Sequence, residues 1–214
     1  MKKAVFFVKK NGFPGLEGET SERALKQIIC DPNDKSLDFL DIDNENLFTL
    51  SDVRKYQGYD VLIFIYGKVF ITREGLNILV EIAIDRKDLS AIAPVSNLAK
   101  TSFQAQPPPF FYQTITGYKW AAMAIHREFK NHVIETDRID DLCLVFRRAV
   151  LNSLPEETPI DDLPNVVNKE GLKIGIAKGV YAHAYGDCYE SGREDLMTHI
   201  PLGAIDVLDV GCAN

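Results

Sequence analysis

Three features of the sequence predict an α/β fold, a mixed and mostly parallel sheet with flanking helices. Apolar runs of strand length alternate with segments of helical periodicity. The strongest runs are continuously apolar, as expected of strands covered on both faces. Turn and cap residues separate the runs at short intervals.

Taken in order, Lys3 to Lys9 is a first buried strand, closed by Asn11-Gly12. A glycine-containing loop follows, then a helix from Thr20-Ser21-Glu22 to Ile29. Leu37 to Ile42 is a second strand running into an acidic, Asn-rich loop. Thr49 opens a short helix that Gly58 stops. Asp60 to Ile65 carries the clearest strand signal in the chain. Thr72 caps a helix to about Ile84, and Leu89 to Pro94 is again a strand. Residues 94–117 form a loop containing three consecutive prolines beside Phe110, Phe111 and Tyr112. Tyr118 to His132 has helical periodicity, with His126 and His132 among its surface residues. Leu142 to Phe146 is a buried strand, and Arg147 to Leu154 a helix.

The bulk numbers exclude several classes. At 214 residues, 46% hydrophobic and 26% charged, the chain is ordinary globular material able to bury a core. A net charge of −7 argues against general nucleic-acid binding, which needs cations against phosphates. Cys30, Cys143, Cys188 and Cys212 form no C-x-x-C pair, so they read as reduced thiols rather than a zinc site or disulfide frame. No apolar run reaches the length of a secretory signal core or a membrane span, and the expected location is the cytoplasm.

Several segments, in order, resemble the family-2 glycosyltransferases, whose fold is called GT-A. They are Asp41-Ile42-Asp43-Asn44, Asp60 to Leu76, Ala93 to Asn97, Ile139 to Arg148, and Gly171 to His183. The resemblance implies GT-A-like, Rossmann-like layers over residues 1–188, ending in a terminal strand pair. It implies transfer of a sugar from a nucleotide sugar to a glycan acceptor in polysaccharide synthesis. It also assigns roles. Asp43 would hold the nucleoside. Asp161 or Asp162 would be the base that takes the proton of the acceptor hydroxyl. His183 would be a ligand to a divalent metal, Mn or Mg; otherwise it is a hydrogen-bonded structural histidine.

The chain departs from the family where an Asp pair is expected. Tyr66-Gly67-Lys68 stands there, and an ammonium group cannot ligate a metal. Lys68 then either contacts the diphosphate directly, without metal, or is a solvated lysine in a degenerate site. Asp161 and Asp162 have an alternative as helix N-terminal carboxylates, and Asp140 and Asp141 as charges capping a buried strand. Phe110, Phe111 and Tyr112 either stack on a sugar or pack beneath the proline loop.

Residues 189–214 read as a linker helix and one strand. Val207-Leu208-Asp209-Val210-Gly211-Cys212 resembles the first motif of class I S-adenosylmethionine-dependent methyltransferases. There Asp209 and Gly211 would be cofactor-binding, with the cofactor belonging to a domain that continues past this chain. Two further readings remain open at the level of sequence. One is a non-catalytic glycosyltransferase-like module serving a methyltransferase. The other is a module that presents a sugar for methylation.

Overall fold

The computed structural model describes residues 2–8, 37–41, 48–66, 69–112, 114–140 and 142–184. The expected helix over Thr20–Ile29 and the whole methyltransferase-like segment, with Asp209 and Gly211, lie outside the described residues, as do Cys30, Cys188, Cys212 and Asp141.

Eight strands form one sheet: β1 (Lys3–Val8), β2 (Leu37–Asp41), β3 (Val61–Tyr66), β4 (Val69–Ile71), β5 (Ala91–Ser96), β6 (Val133–Thr136), β7 (Cys143–Arg147) and β8 (Ile174–Ala184). Their order is β2-β1-β3-β7-β5-β8-β4, with β6 pairing β8 off this path. β1, β2, β3, β5 and β8 run one way, and β4, β6 and β7 run against them. The mixed, mostly parallel sheet is therefore as the sequence predicts.

The continuous apolar runs are explained by two-sided cover. Every residue of β3 is buried. Its alternate side chains Leu62, Phe64 and Tyr66 join one core, with α1 (Leu50–Lys55), α3 (Ile115–Phe129) and α5 (Leu163–Lys169). Val61, Ile63 and Ile65 join the other, under α2 (Arg73–Asp85). Phe6 stacks on Phe64 across the parallel pair, with centroids 5.2 Å apart. Burying each such ring contributes about 1.5–3 kcal/mol.

Helix starts follow the sequence signals. Thr72 Oγ1 accepts from Gly75 N–H at 3.0 Å, and Thr114 Oγ1 accepts from Gly117 N–H at 3.1 Å. The Thr49 N–H donates to Asp52 Oδ2 at 3.0 Å. Gly58, at φ +102°, ends the turn after α1 in a conformation that L side chains rarely adopt.

Four expectations need correction. The helix expected over Arg147–Leu154 is a single turn, α4 (Arg148–Leu151). Pro155 follows Leu154 and disfavours the helical conformation there. α3 begins at Ile115, three residues before the expected start. The expected terminal strand pair is one strand, β8, with a bulge: Pro94 pairs with Ala177, but Val95 pairs with Tyr181. Finally, β4 and β6 were not anticipated. β4 has three residues, and β6 is half-exposed, so neither leaves a periodic signal.

Candidate functional site

The carboxyl ends of β2, β1 and β3 come level at one edge of the sheet. Phe7 is in register with Asp41 on one side and Ile65 on the other, and Val8 with Tyr66. The chain leaves β1 toward β2 and then crosses back to β3 on the opposite side. That reversal of strand order is a topological switch point, at whose carboxyl edge open α/β sheets bind ligands. Asp43 follows the last residue of β2 by two positions, and Lys68 follows the last residue of β3 by two. Both lie outside the described residues, so the structure is read through their neighbours.

Ile160 joins those neighbours. Its N–H donates to the Phe48 carbonyl at 2.9 Å, immediately after the loop that holds Asp43. Its own carbonyl accepts from the Tyr66 hydroxyl at 3.0 Å, just before Gly67-Lys68. Pro159 forms a β-bridge with Thr49, and Leu50 N–H donates to Thr158 O at 2.9 Å. The stretch before Asp161 is thus stitched to the β3 end and to α1. Tyr66 is buried, which pushes its phenol well above the ordinary range; Cys143 and Asp161 reinforce this electrostatically. Leaving that hydroxyl buried without a partner would cost about 1–3 kcal/mol. The Ile160 carbonyl offsets the cost and fixes the position of the turn.

Asp161 and Asp162 lie in a 3-10 turn, Ile160–Asp162, and both are exposed. Asp162 is also the N-cap position of α5, where its Oδ1 accepts from Asn165 Nδ2 at 2.7 Å rather than from a backbone N–H. Asp161 lies one residue from the Tyr66 anchor and acts electrostatically on the Tyr66 phenol.

From the other side, Gly67 and Lys68 bridge Tyr66 to Val69. Three peptide steps span at most about 11 Å. Val69 pairs with Ala184, and Phe70 pairs with His183. The described residues on either side of Lys68 are therefore held to the turn carrying Asp161 and to the strand carrying His183.

His183 sits in a cage of rings. Its Nδ1 is hydrogen-bonded to the Tyr112 hydroxyl at 2.7 Å, and that hydroxyl lies 3.1 Å from the Tyr181 hydroxyl. Tyr112 meets the imidazole edge-on at 5.3 Å, and Tyr118 lies 6.3 Å from it. Burial lowers the imidazole to about 4, so it is neutral near pH 7. Neutral imidazole suits a metal ligand, but the donors around it do not complete a site. Among the described residues, no three His, Cys, Asp or Glu side chains gather to hold an ion. The surroundings shown fit the hydrogen-bonded histidine, and no metal step is derived from them.

Other candidates have structural work. Asp140 Oδ2 accepts from the N–H groups of Lys100 and Thr101, at 2.5 and 2.9 Å, and so organises the loop after β5. Asn97 bonds both N–H and C=O of Ala184, at 2.8 and 2.9 Å, and fixes the end of β8. Phe110 and Phe111 are exposed rather than packed beneath the proline loop; only Tyr112 turns inward. His126 is half-buried, with Nδ1 3.2 Å from the Gly179 carbonyl, and His132 lies beyond the end of α3. Cys143 is a buried thiol, pushed up to about 12 by burial. The sequence reading missed the anchoring role of Tyr66 and the cage of Tyr112, Tyr118 and Tyr181. A tyrosine hydroxyl closing an otherwise wholly apolar strand was the available signal for the first.

No family model matches the chain, and no curated protein matches it. Among solved structures, it is similar to A197 from STIV, with 12% identity over 87% of each chain and a TM-score of 0.52. That likeness is one of fold. Weaker similarities are to GalNAc-T7, crystallised with UDP, GalNAc and Mn2+ (9% identity, 85% of this chain and 42% of that one, TM-score 0.46), and to S. aureus TarS residues 1–349 (14% identity, 88% and 61%, TM-score 0.43).

Proposed function

We propose that this chain binds a nucleotide sugar in the crevice at the carboxyl ends of β1 and β3 and transfers the sugar to a glycan acceptor. The observation that supports this most is the double bonding of Ile160. It draws the segments next to Asp43 and Lys68 toward Asp161 at the edge where such sheets take ligands.

The division of labour follows from the chemistry. Negative charge builds on the departing diphosphate, and the Lys68 ammonium group answers it as a point charge. Asp43 accepts hydrogen bonds from the nucleoside. Asp161 takes the acceptor hydroxyl's proton as the new glycosidic bond forms, with Asp162 as the adjacent candidate. His183 as a metal ligand would require carboxylates from beyond the described residues. The second reading is a non-catalytic module that binds the same donor, favoured by the absence of an Asp pair at Tyr66-Gly67-Lys68. A companion methyltransferase would fit either reading.

Calorimetric titration with a panel of uridine and guanosine diphosphate sugars, followed by transfer assays, separates the readings. Lys68→Ala is expected to weaken donor binding about 10–100-fold, the worth of one charged hydrogen bond. Asp161→Asn is expected to keep donor binding and lower transfer by about 10²–10⁴-fold. Donor affinity unchanged in Lys68→Ala contradicts the assignment of Lys68. Full transfer in both Asp161→Asn and Asp162→Asn places the base elsewhere. Donor binding with no transfer by the unsubstituted chain selects the non-catalytic module.

A further inference from the structure

The large apolar side chains that stand exposed among the described residues all fall between Leu98 and Met123. Scattered surface apolar residues are normal, but their confinement to one segment is not. Two groups make up most of this surface. Phe110 and Phe111 stand at the end of the proline loop, with Phe111 68% exposed. Ile115, Trp120 and Met123 lie on α3, with Trp120 62% exposed.

α3 shows how the patch is built. Its inward stripe is Tyr118, Ala121, Ala122 and Ile125, all buried against the sheet. At about 100° per residue, Ile115, Lys119, Met123, Arg127 and Trp120 span one arc of roughly 140° on the opposite side. A helix that has already satisfied its core face would ordinarily present polar residues there. This one presents a second apolar stripe interleaved with cations, and Arg127 Nη2 lies 3.7 Å from Met123 Sδ within it. The proline loop delivers Phe110 and Phe111 to the first turn of the helix, through Tyr112, whose ring meets Tyr118 at 5.9 Å.

Charge decides between partners. The chain carries −7 overall, yet from Leu89 to Arg127 there is no Asp or Glu, while Lys100, Lys119 and Arg127 are all present. Asp140, which reaches this segment from elsewhere, is turned onto the N–H groups of Lys100 and Thr101. Glu128 follows Arg127 at the end of the helix, and Glu74 acts electrostatically on Tyr118, but the exposed apolar residues of the segment are accompanied within it by cations alone, which complements a layer that is apolar beneath and anionic on top.

We infer that the outer face of α3 and the Phe110-Phe111 loop form a docking surface for an anionic lipid bilayer. Trp120 and Phe111 enter the headgroup region, while Lys119 and Arg127 meet the lipid phosphates. The inference stands whether or not the crevice transfers a sugar. Because α3 begins beside Tyr181 and His183, docking would hold the carboxyl edge of the sheet close to the membrane surface.

Trp120 is the chain's single tryptophan and therefore reports on the surface directly. The test is its emission in the full chain, titrated with vesicles of phosphatidylcholine alone or with about one-third phosphatidylglycerol, some brominated on the acyl chains. The expected result is a shift to shorter wavelength and quenching by brominated lipid with the anionic vesicles, weakening as salt is raised. Each basic residue contributes roughly fivefold to partitioning at such a surface. The double variant Lys119→Glu/Arg127→Glu is therefore expected to lose at least about 25-fold, with an unchanged melting temperature. Phe110→Ser/Phe111→Ser is expected to weaken vesicle binding with an unchanged melting temperature. Emission indifferent to anionic vesicles overturns the inference. So does a shift that follows protein concentration in the absence of lipid, which would make the patch a self-association surface. Equal binding to neutral vesicles, or full binding by the charge-reversed variant, removes the anionic partner.

Discussion

At the scale of single residues, Tyr66 carries more than its place in the sequence announces. Its ring completes the core with Phe64 and Leu62, and its hydroxyl holds the turn that precedes Asp161. Tyr66→Phe keeps the ring and leaves the Ile160 carbonyl without its donor. Urea denaturation is expected to show a loss of about 1–2 kcal/mol, and transfer should fall further than donor affinity, because the displaced group is the proposed base rather than the proposed diphosphate contact. Equal stability in the variant would mean the bond does not fix the turn. Asp161 and Asp162 were singled out by the family resemblance, and Asp162 also occupies the helix N-terminal position that was its alternative. His183 was legible as a special residue but not in its setting, since its ring partners come from a loop, a helix and its own strand. The arginines were not legible at all. Arg147 donates to the carbonyls of Ala83, Arg86, Lys87 and Leu89, closing the end of α2, and Arg148 donates to those of Tyr56 and Tyr59. Nothing local in Arg147-Arg148 specifies either set.

At the scale of elements, helices and central strands follow their sequence signals closely, and edges and bulges do not. β3 and α2 declare themselves through a buried run and a Thr cap. β8 was read as a pair because its two halves have different partners. Val133 to Thr136 and the first half of β5 flank residues 174–177, whereas β4 and the second half of β5 flank residues 181–184. The bulge between them places Gly179 against the end of α3. A Cβ at Gly179 would stand 2.9 Å from the Phe129 carbonyl oxygen, a backbone atom that cannot swing aside. Gly179→Ala is expected to cost about 1–3 kcal/mol in thermal or urea unfolding, the range for overpacking. A neutral outcome would show that α3 slides freely on β8.

At the scale of the whole molecule, the fold class was readable because alternation of strands and helices is a property of the entire chain. The strand order was not, because β7 and β4 reverse direction without any local mark. The described strands, from Lys3 in β1 to Ala184 in β8, share one sheet. No helix among the described residues is long and apolar enough to cross a membrane. The site is distributed across this whole. Its proposed charges follow β2 and β3, its base precedes α5, and its histidine is near the end of β8.

Thermal unfolding of the chain against saturating nucleotide sugars, with and without manganese, tests the central claim most directly. A ligand at a hundred times its dissociation constant adds about 2.7 kcal/mol. For a chain of this length, that raises the midpoint by roughly 5–10 °C. The account predicts such a shift with at least one nucleotide sugar in the absence of metal, falling to about half or less in Lys68→Ala at the same ligand concentration. No shift with any nucleotide sugar would contradict a donor site at the carboxyl edge, and a shift appearing only with manganese would contradict the place given to Lys68.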